Sequence, residues 1–229
     1  MRGLFVTGTD TGAGKTVLTG ALLAAMVAAG VPVRPHKPVL TGLEEPPPGP
    51  WPADDELLAG LSGMTKEQVA PLRFGPPASP HLAAELAGEE LDPDAIVAAV
   101  RALAEDDSYP VLVEGVGGLL VPLRHDYLVR DLVRALGLPV VIAARPGLGT
   151  INHTLLTLEA ARGHGIEVAA VVLSGWPEAP TAIERSNRDT IAAIGEVDVF
   201  TLPTLSGPDP AALARAGGQL PWREWLAGR

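Results

Sequence analysis

One nine-residue segment, Gly8-Thr9-Asp10-Thr11-Gly12-Ala13-Gly14-Lys15-Thr16, constrains this 229-residue chain more than any other. The β-rich run Leu4-Phe5-Val6-Thr7 leads into it. An apolar-periodic stretch through Leu18, Leu22, Leu23, Met26 and Val27 leaves it, and Gly30 is placed to end that helix. A strand, a glycine-rich turn and Gly-Lys-Thr opening a helix form the layout of a P-loop. The glycines let backbone N–H groups turn inward as a nest, at the positive end of a helix, where a triphosphate can sit. In such a loop the lysine reaches the β- and γ-phosphates and the hydroxyl ligates Mg²⁺. Five residues rather than four separate Gly8 from Gly14, so Thr9 takes the place usually held by the first glycine. A plain glycine-rich strand–helix turn is the competing reading of the loop alone.

Beyond the loop, short apolar runs alternate with longer helical patterns. This predicts a single α/β domain over residues 1–229, a mostly parallel P-loop NTPase-type sheet flanked by helices on both faces. Further strands are expected from 31 towards Lys37, and at 111–113, 138–143, 168–173 and 199–202. Helices are expected at 93–103, 127–136, 152–161 and 181–194, with one or two short ones after Pro208. Residues 44–52 read as a stiff Pro-rich loop rather than a linker.

The formal net charge of −10 argues against a general nucleic-acid or anionic-membrane surface, because both need a basic face. A nucleotide site survives that objection, since it needs only local N–H groups and a few lysines. The absence of cysteine removes disulfides, iron–sulfur clusters and thiolate zinc sites, and fits a reducing compartment. The apolar stretch 17–31 is too short to span a bilayer, and the first residues run straight into the loop, leaving no room for a signal peptide. The expected location is the cytoplasm.

A P-loop binds triphosphate, but phosphoryl transfer also needs acids for the metal and a nucleophile. Glu114 follows the strand at 111–113 and precedes Gly115-Val116-Gly117-Gly118, on the rim where α/β sheets bind ligands. Lys37, in Lys37-Pro38-Val39-Leu40-Thr41-Gly42, reaches the same rim and adds a second positive charge beside the phosphates. Asp54 and Asp55 open a helical pattern, where either could be an ordinary helix-start acid. Asn152 precedes an apolar-periodic helix and is a candidate N-cap. His36, His81, His125, His153 and His164 read as structural, capping or surface groups.

Taken together, GTDTGAGKT at 8–16, KPVLTG at 37–42, Asp54, SPH at 79–81, VEGVGG at 113–118 and LGTINH at 148–153 resemble the dethiobiotin synthetase family along nearly the whole chain. The resemblance implies that 7,8-diaminononanoate is carbamated by CO₂ on one amine. The carbamate then attacks the γ-phosphate of ATP or another nucleoside triphosphate, and the second amine closes the ureido ring. By the same resemblance Thr16, Asp54 and Glu114 bind Mg²⁺, while Lys15 and Lys37 are the catalytic lysines, Lys37 bridging carbamate and γ-phosphate. Gly12, Ala13, Gly14, Lys15, Thr16, Val17, Glu114, Gly115, Val116 and Gly117 line the nucleotide, with Asp54 nearby. Thr11 and Thr41 touch the substrate's reacting end. Gly149, Thr150, Ile151 and Asn152 capture its distant carboxylate from the other subunit of a homodimer.

The chain departs from the family after the strand at 168–173. An Asn-Asp pair commonly reads the base there, whereas this chain has Ser174-Gly175-Trp176-Pro177, a variant resembling the actinobacterial branch. Pro203, Thr204 and Leu205 flank the base from the other side, and preference for ATP over other triphosphates stays open. Two rivals share the fold: a positioning ATPase and a non-catalytic regulatory relative. The former carries an extra lysine early in its loop, where this chain has Thr9, Asp10 and Thr11.

Overall fold

The computed structural model describes residues 1–46, 49–104 and 108–228. Pro47 and Pro48 of the expected Pro-rich loop lie outside that set. From the N-terminus the elements are β1 (Gly3–Gly8), α1 (Lys15–Ala28), β2 (Arg34–His36), β3 (Val39–Leu40), α2 (Asp54–Ser62), α3 (Lys66–Val69) and β4 (Leu72–Arg73). The middle supplies α4 (Pro80–Leu86), α5 (Pro93–Leu103), β5 (Val111–Gly118), β6 (Pro122–Arg124), β7 (Tyr127–Leu128), α6 (Val129–Leu136) and β8 (Val140–Ala144). The rest is α7 (Thr150–Arg162), β9 (Val168–Trp176), α8 (Ala182–Gly195), β10 (Val199–Pro203), α9 (Pro210–Gly217) and α10 (Trp222–Ala227).

Six strands form the central sheet in the order β10-β9-β8-β1-β5-β2, with every neighbouring pair parallel. Near-continuous apolar runs are what such strands require, because helices cover both faces. Alternation along β1 shows the division. Leu4 and Val6 pack with Leu18, Leu22 and Met26 of α1 on one face. Phe5 points to the other, where Ile96 and Val100 of α5 and Leu132 and Val133 of α6 lie. Helix α9 comes so close to α1 that a Cβ on Gly217 would sit 2.0 Å from the Ala21 carbonyl oxygen. Among the described residues no helix is long and apolar enough to cross a membrane.

Several boundaries differ from expectation. Strand β5 continues through Glu114 to Gly118 rather than stopping at 113, because its pairing with β1 extends to Val6↔Glu114 and, across a bulge, Gly8↔Gly118. Strand β9 likewise runs to Trp176 beside β10. Residues 31–33 stay outside the sheet, and only Arg34–His36 pairs with β5. The expected helix at 127–136 starts at Val129, since Tyr127 and Leu128 pair with β6 as a short antiparallel ribbon. The helix expected at 152–161 begins two residues earlier, at Thr150, with Gly149 as its N-cap.

Candidate active site

The phosphate loop joins the carboxyl end of β1 to α1. Gly12 (φ 70°) and Gly14 (φ 90°) hold left-handed conformations that an L side chain rarely adopts. At Gly14 space is also exhausted: a Cβ there would lie 2.5 Å from Cβ of Ser174. Lys15, 7 % exposed, donates to the Asp10 carbonyl at 3.0 Å. Burial, reinforced by the Lys37 charge, lowers its pKa from 10.5 to about 8, against the pull of Glu114, Asp54 and Asp10. An ammonium in this setting gains strongly from an arriving polyanion. Val17 sits half-buried in the same first turn.

Around Thr16 the expected acids converge. Its hydroxyl lies 2.8 Å from Asp54 Oδ1 and 2.9 Å from Glu114 Oε1. Lys37 Nζ completes the cluster at 2.5 Å from Asp54 Oδ2 and 2.7 Å from Glu114 Oε1. Burial alone would lower the Lys37 pKa, but the two carboxylates outweigh it and hold the ammonium above its ordinary range. For Asp54, burial works upward, yet Lys37, with the Thr16 hydroxyl and Lys15, holds the carboxyl below its usual range. Glu114 is fully buried, and its Oε2 has no hydrogen-bond partner among the described residues. Asp55 turns away to pair with Arg73 at 2.8 Å, so geometry favours Asp54 as the acid of the site.

This donor set fits a hard divalent cation. It offers one hydroxyl and two carboxylates, one with an unused oxygen, already gathered around a positive charge. Among the described residues no cluster of three or more His, Cys, Asp or Glu occurs, so water and phosphate oxygens would fill the remaining positions.

The base-side residues also assemble. Ser174 is buried against Gly14, Gly175 has φ 80°, and the Thr204 N–H donates to the Trp176 carbonyl at 3.0 Å. Pro203 ends the adjoining strand, and the half-buried Leu205 packs on the same core as α1. Gly115, Val116 and Gly117 form the last part of β5; a Cβ at Gly115 would come within 2.8 Å of the Phe5 ring. Thr11 is exposed on the loop, and Thr41 is half-buried one residue past β3.

At α7 the expectation is corrected. Asn152 does not cap the helix; it is the exposed third residue, and the cap is Gly149 with φ 90°. A glycine brings no capping side chain, so the first turn leaves N–H groups open to an anion. The sequence reading missed Arg145 and Asn187. Arg145 Nη2 donates to the Thr11 carbonyl at 2.8 Å and Nε to that of Gly12 at 3.2 Å. Asn187 Nδ2 donates to the carbonyls of Pro146 and Gly147 at 2.9 and 3.1 Å. Arg145 follows β8 on the ligand-binding rim, the same positional signal that singled out Glu114.

With this geometry in view, the chain can be set beside known proteins. A family model described as an AAA domain matches residues 2–209. The ATP-dependent dethiobiotin synthetase BioD of Anaeromyxobacter sp. (strain Fw109-5) is 44% identical over 207 residues, covering 86% of this chain and 91% of the relative. The enzyme of the same name from Anoxybacillus flavithermus is 36% identical over 228 residues, 98% and 99% of the two chains. Among solved structures, the Pyrococcus furiosus cell division ATPase MinD aligns with a TM-score of 0.58 at 15% identity, covering 98% of this chain and 100% of that one. Cobyrinic acid a,c-diamide synthase from Mycobacterium smegmatis, bound to ADP and magnesium, aligns at 0.55 and 18% identity over 100% and 97%. At such identities the structural likeness concerns the fold alone.

Proposed function

Because this chain belongs to the dethiobiotin synthetase family, we propose that it is an ATP-dependent cyclo-ligase forming dethiobiotin from 7,8-diaminononanoate and CO₂. One amine adds to CO₂ and loses a proton, giving a carbamate. A carbamate oxygen attacks the γ-phosphorus and the nucleoside diphosphate leaves. The second amine then attacks the carbonyl carbon of the mixed anhydride, closing the ring and expelling phosphate.

The observation that carries this reading is the gathering of Lys15, Thr16, Lys37, Asp54 and Glu114 at one end of the phosphate loop. Lys15 and Lys37 balance negative charge directly, Thr16, Asp54 and Glu114 would do so through a metal, and a loose phosphoryl-transfer transition state asks for little else. Thr16, Asp54 and Glu114 would hold Mg²⁺, which, when bound, neutralises charge on the β- and γ-oxygens. Lys15 would grip the triphosphate. Lys37 would meet the carbamate and the γ-phosphate, and burial keeps it free of competing water. Thr11 and Thr41 would position the diamine end. Residues 12–17 and 114–117 would line the nucleotide, with Ser174, Gly175, Pro203, Thr204 and Leu205 around the base.

The distant carboxylate calls for a second anion site, and the α7 N-terminus at Gly149, Thr150, Ile151 and Asn152 suits it. Leu148 beside it is 97 % exposed and Leu156 stands out from the same helix, apolar surface that a second copy would cover. The reading is therefore a homodimer that shares its sites, acting in the cytoplasm.

Phosphate release measured with diaminononanoate and bicarbonate together, singly and absent tests the activity. Release and dethiobiotin formation should need both. Hydrolysis indifferent to them would favour the positioning-ATPase alternative. For the shared site, mixing Lys37→Gln with Asn152→Ala chains should restore activity through hybrid dimers with one intact site. No recovery under subunit exchange would rule that arrangement out.

A further inference from the structure

In a phosphate nest the N–H groups turn inward, so the carbonyls of the same peptides turn outward and need partners of their own. Arg145 supplies them at two consecutive peptides, reaching the Thr11 and Gly12 carbonyl oxygens at 2.8 and 3.2 Å. Those peptides carry the N–H groups of Gly12 and Ala13 at their other ends. A permanent positive charge on the carbonyl side polarises each peptide and makes its N–H a stronger donor. The exposed guanidinium also sits against the left-handed part of the loop: a Cβ on Gly12, at φ 70°, would lie 3.1 Å from Nη2.

The arm is itself held. Arg145 is the first residue past β8, and the carbonyls of the next two residues, Pro146 and Gly147, accept from Asn187 Nδ2. Asn187 is 7 % exposed on α8. A polar strap thus runs from α8 through 145–147 to the back of the phosphate loop, and the same segment leads into α7.

We propose that Arg145 is a positioning residue for phosphoryl transfer, holding and polarising the loop from behind; this rests on reading the loop as a triphosphate cradle. Its fixed fork, rather than its charge alone, does the work, because two carbonyls in a set geometry must be met at once.

The test compares wild type, Arg145→Ala and Arg145→Lys. Each is assayed for kcat and KM for ATP, ATP affinity by calorimetry, loop amide exchange, and thermal midpoint without nucleotide. The alanine variant should lose about 10-fold in kcat, less than the 10²–10³ typical of a donor that touches the charge directly. Residues 10–14 should exchange faster, the nucleotide-free midpoint should hold, and added methylguanidinium should restore part of the rate. Lysine should recover less than half of the loss. Full kcat in the alanine variant, full recovery by lysine, or a loss that follows the thermal midpoint would each overturn the proposal. Failure of wild type to bind ATP would bring down the cradle reading with it. Normal ATP binding with indifferent Arg145 variants would bring down only the role of Arg145.

Discussion

His36 ends the edge strand β2 at 3 % exposure, and neither ring nitrogen has a well-formed hydrogen bond among the described residues. Burial lowers its pKa from 6.5 to about 4, while the backbone of Gln68 pulls the other way from outside hydrogen-bond geometry. A buried neutral imidazole whose donor and acceptor are poorly met is a liability of about 1–3 kcal/mol. His36→Leu, similar in size and apolar, should therefore stabilise the nucleotide-free protein at pH 7 by about that amount. A pocket of ≈ 240 Å³ bordered by His36, Leu72, Leu91 and Ile96 gives the new side chain room to settle.

The acid range sharpens the expectation. Between pH 6.5 and 4 the unfolded chain binds a proton at His36 that the native state refuses, so stability falls as pH falls through that window. The full drop is about 3 kcal/mol at 1.36 kcal/mol per pKa unit, of which about 2 is spent by pH 5. The leucine variant lacks this loss, so its advantage should widen by about 2 kcal/mol between pH 7 and pH 5. Urea unfolding followed by circular dichroism at the two pH values, without nucleotide and with equal m-values, measures it. An advantage that does not widen, or a variant less stable than wild type at pH 7, would refute the reasoning.

Lys15→Ala should cut turnover by about 10²–10³-fold, and full activity would end the P-loop assignment. Lys37→Gln should keep nucleotide affinity by calorimetry while product formation disappears, whereas equal losses in both would make Lys37 one more triphosphate ligand. Asp54→Asn should abolish turnover, read by product formation under saturating nucleotide, while Asp55→Asn keeps it. Asp55→Asn should lower the unfolding free energy, because it removes the buried carboxylate that pairs with Arg73 and leaves that guanidinium with Glu67 alone among the described residues. Lacking an amide–carboxylate pair at Ser174-Gly175, the enzyme should favour ATP over CTP in kcat/KM by less than about 10⁴, and a larger ratio would show a base readout elsewhere.

What the sequence disclosed was mostly what single elements determine. The loop, α1 and the buried strands follow from glycines at fixed offsets and from apolar periodicity. Glu114 and Lys37 follow from their place at strand ends. Pairing partners across long separations were hidden. Nothing near residue 37 announces that its ammonium sits between Asp54 and Glu114, and nothing near residue 145 points to Thr11. Glycine runs misled in both directions. Gly115 to Gly118 have poor strand propensity, yet pairing with β1 keeps them extended. Gly149 resembles the end of a turn but caps α7, which moved Asn152 from the cap into the helix. The choice between Asp54 and Asp55 was beyond the pattern, because both open the same helix and only its rotation separates them.

The contact between Gly217 and the Ala21 carbonyl bears on how the protein is made. The matched family segment stops at residue 209, one residue before α9 begins. A ribosome hides a few dozen residues of nascent chain, so α1 would emerge and pair with β1 long before the helix that roofs it is available. Until then Leu22 and Met26 of α1 lack part of their cover. A chain cut near residue 209 would keep every phosphate-loop residue but lack the helix that packs on α1. Close helix packing at one glycine thus makes the covering of α1 depend on a helix far along the chain from the loop it supports.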